Sequence, residues 1–279
     1  MKALFDKISD ATSVVITKKY STSFSIAVRL LAPSIRQAVY NIYGFVRVAD
    51  EIVDSFEGYE QEVLLDRFED EYRYAEKFGI SSNPVINSFQ RTLVAYDIDR
   101  DLVNAFLKSM RADLSKQVYT TDEEIKEYIY GSADVVGLMC LKIFVKGDQD
   151  KYLELVQPAM KLGSAFQKVN FLRDFKADYE GLSRTYFPNV DPDNLSNEDK
   201  KKIIENIEQE FKEAYAGVKN LPKEAKLGVY VAYRYYLRLL KKIDSTPATA
   251  LFESRIRVSN RIKTYLLFKS YVRYQFNIV

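Results

Sequence analysis

The sequence predicts an all-α protein, and three observations carry that expectation. Only ten glycines and seven prolines punctuate its 279 residues. The long segments between them repeat apolar residues every three to four positions, the period of a helix. Alternating β-branched strand patterns are scarce, and no internal repeat is evident. The expected architecture is a single domain over residues 1–279, built from roughly nine or ten helices. No Pro/Gly/Ser-rich linker divides it.

The elements follow in order. From Pro33 to Phe56 the residues Ile35, Val39, Ile42, Tyr43, Val46, Ala49, Ile52 and Val53 form one apolar stripe. Pro33 suits a first turn, where its missing N–H costs nothing. A second helix is expected over Tyr59–Phe78. Asn83-Pro84 opens a third that reaches Tyr96, and Asp99 or Asp101 caps the next. Thr121-Asp122-Glu123-Glu124 has the cap and first-turn acids of a helix N-terminus, and that helix runs through Val145. Gly147-Asp148 breaks the pattern before another long helix. Pro188–Asn197 (PNVDPDNLSN) is the clearest loop, rich in turn-forming residues. Helices are then expected over Glu198–Val218, Pro222–Ile243 and Ile256–Phe276.

Composition removes several functions. Apolar residues make up 47% of the chain, enough for a sizeable core. A formal charge of +2 gives no bulk electrostatic case for nucleic acid. Histidine is absent, which removes Ser-His-Asp and Cys-His nucleophile systems and every His-ligated metal site. Cys140, the single cysteine, lies in an apolar run. It cannot form a disulfide within the chain, so a reducing, cytoplasmic setting and an inert buried thiol are expected. Phosphate-binding glycine loops (GxGxxG, GxxxxGKS/T) are missing. The start, MKALFDKISDATS, lacks the apolar core of a signal peptide, and no uncharged apolar run reaches the roughly 18 residues of a membrane span.

Chemistry must then come from carboxylates, Tyr, Arg, Lys or a hard metal. In RVADEIVDSFEG, Asp50 and Asp54 stand four apart on a helix, with Glu51 one step round. In VNFLRDFKADYEGLSRTYFP, Asn170, Asp174 and Asp178 extend the same spacing. Residues i and i+4 share a helix face, and like charges there repel. Beside Ile52, Val53, Phe171 and Leu172, desolvation adds to that cost. A hard divalent cation such as Mg²⁺ offsets it, completing its octahedron with water and phosphate oxygens. The plainer alternative is two solvated acidic faces, since acid pairs at this spacing recur by chance among 39 Asp and Glu.

The residues around both stretches carry a resemblance. Asp50-Glu51-Ile52-Val53-Asp54 resembles the first aspartate-rich motif of the squalene/phytoene synthases, the head-to-head isoprenyl diphosphate condensing enzymes. Gln167 through Asn170, Arg173, Asp174 and Asp178, followed by Arg184-Thr185-Tyr186-Phe187-Pro188, resembles the second. Tyr20-Ser21-Thr22-Ser23-Phe24 is similar to the family's Ser-x-Ser-Phe segment, and Arg36 to Arg47 to the lead into the first motif. Tyr128 to Gly137 is similar to its small-residue helix. Ala232–Tyr236 and Arg255–Val258 match weaker patterns. The likeness runs over residues 15–265 and is strongest to bacterial phytoene synthases.

The resemblance implies an isoprenoid-synthase-type helical bundle around a central cavity, between the two aspartate-bearing helices. It implies a prenyltransferase. One allylic diphosphate ionises, the second substrate's double bond attacks the cation, and the resulting cyclopropylcarbinyl diphosphate ionises again and rearranges. Asp50, Asp54, Asn170, Asp174 and Asp178 would hold Mg²⁺, with Mn²⁺ able to replace it, and Glu51 would support them. Arg47, Arg173, Arg255, Ser21, Ser23 and Gln167 would grip phosphate oxygens, and Tyr236 would hydrogen-bond the diphosphate. Phe24, Val28, Tyr43, Ala133, Val136, Gly137 and Leu162 would line the prenyl tunnel.

The chain departs from the family pattern in three places: Glu51 where a second Asp is usual, Asp134 where the small-residue segment usually has Gly, and Tyr20 where some relatives have His. With no dinucleotide loop, NADPH is not expected. The favoured product is phytoene from two geranylgeranyl diphosphates, Val28 leaving room for the longer chain. The alternatives are a C30 product (dehydrosqualene, squalene or hydroxysqualene) from two farnesyl diphosphates, or a catalytically silent relative acting as an assembly factor. A hydrocarbon product calls for transient contact with a membrane, at its cytoplasmic face, and the basic, aromatic C-terminal helix is a candidate surface. A docked core helix with a solvated basic face fits the same segment.

Overall fold

A computed structural model of the chain describes residues 1–116, 118–182, 185–188, 190, 195–253 and 255–279, without the side chains of 177–182. Among the described residues the α-helices are α1 (Lys2–Tyr20), α2 (Thr22–Arg29), α3 (Pro33–Asp54), α4 (Gln61–Phe78), α5 (Pro84–Ala95), α6 (Arg100–Asp113), α7 (Asp122–Ile129), α8 (Val135–Val145), α9 (Gln149–Leu182), α10 (Asn197–Asn220), α11 (Lys223–Asp244) and α12 (Asn260–Gln275). A π-helical turn (Tyr130–Asp134) joins α7 to α8, and a 3₁₀ turn (Ala248–Phe252) follows α11. The described residues contain no strand; Val118 and Thr185 form an isolated parallel bridge. The all-α expectation holds.

Local chemistry explains the helix starts. Asn83 caps α5 by accepting from the Val85 N–H at 3.0 Å, with Pro84 in the first turn. Asp99 caps α6. Thr121 and Glu124 form a reciprocal capping box on α7. Lys146 and Gly147, both at positive φ, turn the chain between α8 and α9.

Three boundaries differ from the sequence expectation. The periodic pattern began at Pro33, yet α1 and α2 precede it. The buried face of α1 is Ser9, Ser13 and Thr17, so its packing side is polar. It meets α3 and α5 through hydroxyls: Ser13 Oγ lies 2.9 Å from Ser88 Oγ, and Asn87 Nδ2 donates to Ser9 Oγ at 3.0 Å. Gly44 permits the approach, because a Cβ there would sit 2.7 Å from Ser13 Oγ. Second, the helix from Thr121 to Val145 carries the π turn. Third, the last helix begins at Asn260 rather than Ile256. Ile256 and Val258 are buried on a non-helical stretch, where alternate residues point inward.

Two hydrophobic clusters flank the site. The first gathers α3, α4, α5, α6 and α8 around Phe45, which is fully buried and stacks on Phe89 at 3.8 Å. Truncating such a phenylalanine to alanine costs about 3–5 kcal/mol. The second joins α9, α10 and α11 around Phe211, Tyr230 and Leu239. The long helix α9 packs on α8 and α10. Pro158 lies inside it, and its ring is accommodated by Gly217, where a Cβ would fall 2.3 Å away. Residues 122–145 are long and apolar enough to cross a membrane, yet 56% of their most apolar window is buried in the fold. They behave as a core segment.

Candidate active site

A cavity of about 490 Å³ opens between the clusters, lined from α2, α3, α6, α8, α9, α10, α11, α12 and the π turn. Most sequence-predicted site residues converge on it. Ser21, Ser23 and Phe24 come from the entry to α2 and its first turn, and Val28 from its last turn. Tyr43, Arg47 and Asp50 come from one stripe of α3, at successive four- and three-residue steps. Ala133, Val136 and Gly137 line it from the π turn and α8; Leu162, Gln167, Asn170 and Arg173 from α9; Tyr236 from α11. The interior is apolar, and the polar groups gather together.

Three expected residues stand outside the lining. Asp54 is half-buried at the end of α3. Asp174 and Arg255 are tied to the lining through Arg173. Arg173 Nε donates to Asp174 Oδ1 at 2.9 Å, and Arg255 Nε lies 2.6 Å from the same oxygen. The side chain of Asp178, and Arg184 altogether, fall outside the described residues.

The polar groups form a connected set. Arg47 pairs with both Asp50 and Glu51 and lies 4.4 Å over the Tyr20 ring. Tyr236 donates to Asn170 Oδ1 at 3.2 Å, and Asn170 Nδ2 to Gln167 Oε1 at 3.4 Å. Gln167 Nε2 reaches Ser132 Oγ at 3.5 Å. Phe24 stacks on Tyr43 at 4.6 Å, and Phe166 on Tyr236 at 4.0 Å. Burial, helped by Asp50, pushes the Tyr43 hydroxyl up to about 12. Burial also raises Tyr236. Both phenols are therefore neutral donors at physiological pH. Burial lowers the two arginines, but adjacent carboxylates raise Arg47 and Arg173 more.

Several lining residues were not singled out in the sequence, although Ser132 and Tyr235 lie inside segments that carry the resemblance. Phe166, Tyr235, Ser132, Lys263 and Leu266 line the cavity. In one dimension each reads as ordinary core or a solvated lysine. Cys140 lines it as well. It is half-buried rather than fully buried as the sequence suggested, and its apolar surroundings push the thiol up to about 12, away from the thiolate.

The donor atoms here are hard oxygens, carboxylate and carboxamide, on two helices that share one cavity; that chemistry fits a hard divalent cation. Among the described residues no three Asp, Glu, His or Cys side chains gather closely enough to hold an ion alone. Substrate oxygens or water would have to complete the shell.

A squalene/phytoene synthase family model matches residues 17–261. The chain belongs to this family, whose members are prenyltransferases that join prenyl diphosphates head to head. It is 27% identical over 277 residues to phytoene synthase 1, chloroplastic, of Solanum lycopersicum, covering 92% of this chain and 66% of that protein. It is 28% identical over 174 residues to 4,4'-diapophytoene synthase of Staphylococcus haemolyticus, covering 62% of this chain and 59% of that one. The chain thus spans somewhat less than two thirds of these relatives' lengths. A crystal structure of a dehydrosqualene synthase in complex with ligand superposes with a TM-score of 0.83 at 22% identity, covering 97% and 98% of the two chains. That likeness establishes the same helical fold.

Proposed function

We propose that this chain is a phytoene synthase. It would condense two geranylgeranyl diphosphates head to head, through prephytoene diphosphate, with Mg²⁺ and without NADPH, within one domain spanning residues 1–279. The observation that carries the proposal is the cavity: its apolar walls run to a cluster containing Arg47, Asp50, Asn170, Arg173 and Tyr236.

Ionisation of an allylic diphosphate needs charge neutralised on the leaving group rather than a base. Asp50, Asp54, Asn170, Asp174 and Asp178 would hold the metal, which when bound neutralises pyrophosphate charge. Arg47, Arg173 and Arg255 would bind the diphosphate oxygens through their guanidinium forks. Ser21, Ser23 and Gln167 add neutral donors. Tyr43 and Tyr236, held protonated by burial, donate hydrogen bonds and do not compete for the carbocation as phenolates. Phe24 and Phe166 offer aromatic faces that stabilise a cation without capturing it. The apolar walls exclude water, which would otherwise quench the cation. Val28, buried on α2, would leave room for the longer C20 chain.

The test is a product assay on purified protein. Geranylgeranyl or farnesyl diphosphate is supplied with Mg²⁺, with and without NADPH, and hydrocarbons are identified by mass. A C40 product without NADPH supports the proposal. A C30 product keeps the mechanism and replaces the substrate, a reading favoured by the 4,4'-diapophytoene synthase relative. No product from a folded protein points to a catalytically silent relative.

A further inference from the structure

Asp134 stands where the small-residue segment of the family usually has Gly, and the proposed chemistry leaves it unused. It lies behind the cavity wall rather than in it. Ser132 and Ala133, just before it, and Gly163, opposite it on α9, all line the cavity. The fit there is close: a Cβ on Gly163 would come 3.1 Å from both Ala133 O and Asp134 Oδ1. Asp134 also ends the π turn, a rare conformation that recurs at functional sites.

The carboxyl is buried, it takes the Ser164 N–H, and its Oδ1 has no hydrogen-bond partner. The charges facing it are already committed. Glu210, equally buried on α10, accepts from Ser164 Oγ at 3.0 Å and from Lys168 Nζ at 2.8 Å. Lys168 also donates to Asn206 Oδ1 at 2.8 Å, and Lys161 pairs with Glu213 at 3.5 Å. On the other side of the turn, α6 meets Gly131 with the Ala105 carbonyl and the Ser109 hydroxyl. Helix α7 leaves Lys126 and Glu127 exposed, Glu127 on Lys108, and α8 carries only Lys142, over the Tyr152 ring. Among the described residues Asp134 therefore faces a second buried carboxyl and forms no ion pair of its own.

A proton on Asp134 removes that imbalance. Burial and Glu210 hold the proton into the physiological range. Once ionised, the buried carboxylate is drawn towards Lys168 or water, because an uncompensated charge is costly there. Ala133 and Ser132 would move with it. Ser132 Oγ accepts from Gln167 Nε2, and Gln167 Oε1 from Asn170 Nδ2, so the shift reaches the polar end of the cavity.

We propose that Asp134 is a positioning residue whose proton holds the π turn against Gly163 and so keeps Ser132 and Ala133 in the cavity wall. The effect on the turn stands on the packing alone; the effect on catalysis rests on the proposed function.

The test reads the two separately. Hydrogen exchange of the substrate-free protein is followed by mass spectrometry. Residues 128–137 should lose about tenfold in protection, relative to α5, between pH 6 and pH 8, and Asp134→Asn should keep it. Over the same span kcat/KM for prenyl diphosphate should fall about tenfold in the wild type and stay flat in Asp134→Asn. Two neighbours supply opposite shifts. Glu210→Gln removes an anion and should move the midpoint to lower pH; Lys168→Met removes a cation and should move it to higher pH. A role in stability alone predicts no such opposed pair, and the pair stands even where Asp134→Asn fails to fold. The same pH response in wild type and Asp134→Asn overturns the proposal, as do shifts of one sign in Glu210→Gln and Lys168→Met. The expected exchange with no product from either substrate keeps the positioning of the turn and removes the proposed function. Product with exchange that ignores Asp134 removes the positioning alone.

Discussion

Arg255 holds Asp174 from 81 residues further along the chain through an ion pair, Nε 2.6 Å from Oδ1, and a hydrogen bond from Nη2 to Oδ2 at 3.1 Å. Arg173 grips the same carboxylate from the adjacent position. One carboxylate thus organises two guanidinium groups beside the cavity. Diphosphate binding here would draw on the remaining N–H donors of these forks or exchange Asp174 for phosphate oxygens. Arg255→Lys keeps the charge and loses the fork. The expected outcome is a KM for prenyl diphosphate raised about tenfold with a smaller change in kcat, because a substrate contact present throughout is weakened. A wild-type KM would show that Arg255 only pairs with Asp174.

Asp50→Ala and Asp174→Ala each remove an oxygen donor from one of the two helices. Turnover should fall by about 10²-fold or more, the scale of lost charge stabilisation at a reacting centre. Thermal unfolding should move by only a few degrees, since neither carboxylate supports the hydrophobic clusters. Activity within twofold of wild type would return these residues to solvated acidic faces.

Tyr236→Phe keeps the stack on Phe166 and deletes the donor to Asn170 Oδ1. The stability cost of leaving that acceptor unpaired is about 1 kcal/mol. Loss of activity should exceed this, about tenfold or more in kcat, if the hydroxyl also serves the diphosphate. Steady-state kinetics beside a urea melt separate the two; matched losses would make Tyr236 purely structural.

Val28→Phe extends a buried side chain into the cavity wall behind Phe24. Competition between farnesyl and geranylgeranyl diphosphate should shift towards the shorter chain, by about tenfold for a pocket shortened by one ring. Unchanged preference would mean that other walls set chain length.

Asp134, on the π turn, is buried. Burial first, then the Glu210 charge, pushes its carboxyl up to about 7, against Lys168 and Lys161. Unfolded, it titrates near 3.9. Between these values the folded state holds the extra proton, so stability falls as pH rises from about 4 to about 7 and is flat above. The loss is on the order of a few kcal/mol. Asp134→Asn should abolish this slope and raise stability at pH 8 in urea unfolding. An unchanged slope would assign the pH dependence elsewhere.

Some of the fold was legible because its causes are local. The stripe from Ile35 to Val53, the capping box at Thr121 and the Asn83-Pro84 start each lie within a few turns of one another. The hydroxyl face of α1 was not, since hydrophobic periodicity cannot register packing by Ser9, Ser13 and Thr17. Nor did any residue pattern announce the π turn, which Gly131 fits against α6: a Cβ there would come 2.8 Å from Ala105 O.

The candidate site divides the same way. That Asp50 and Asp54, and Asn170 and Asp174, share helix faces was legible in the sequence, because a helix places i and i+4 together; that only Asp50 and Asn170 of these line the cavity was not. Only the tertiary structure decided that Arg255 meets Asp174, that Tyr236 meets Asn170, and that Phe166 and Lys263 line the same cavity. Such contacts join helices far apart in the chain. They follow from how whole helices pack, which no short window of residues encodes.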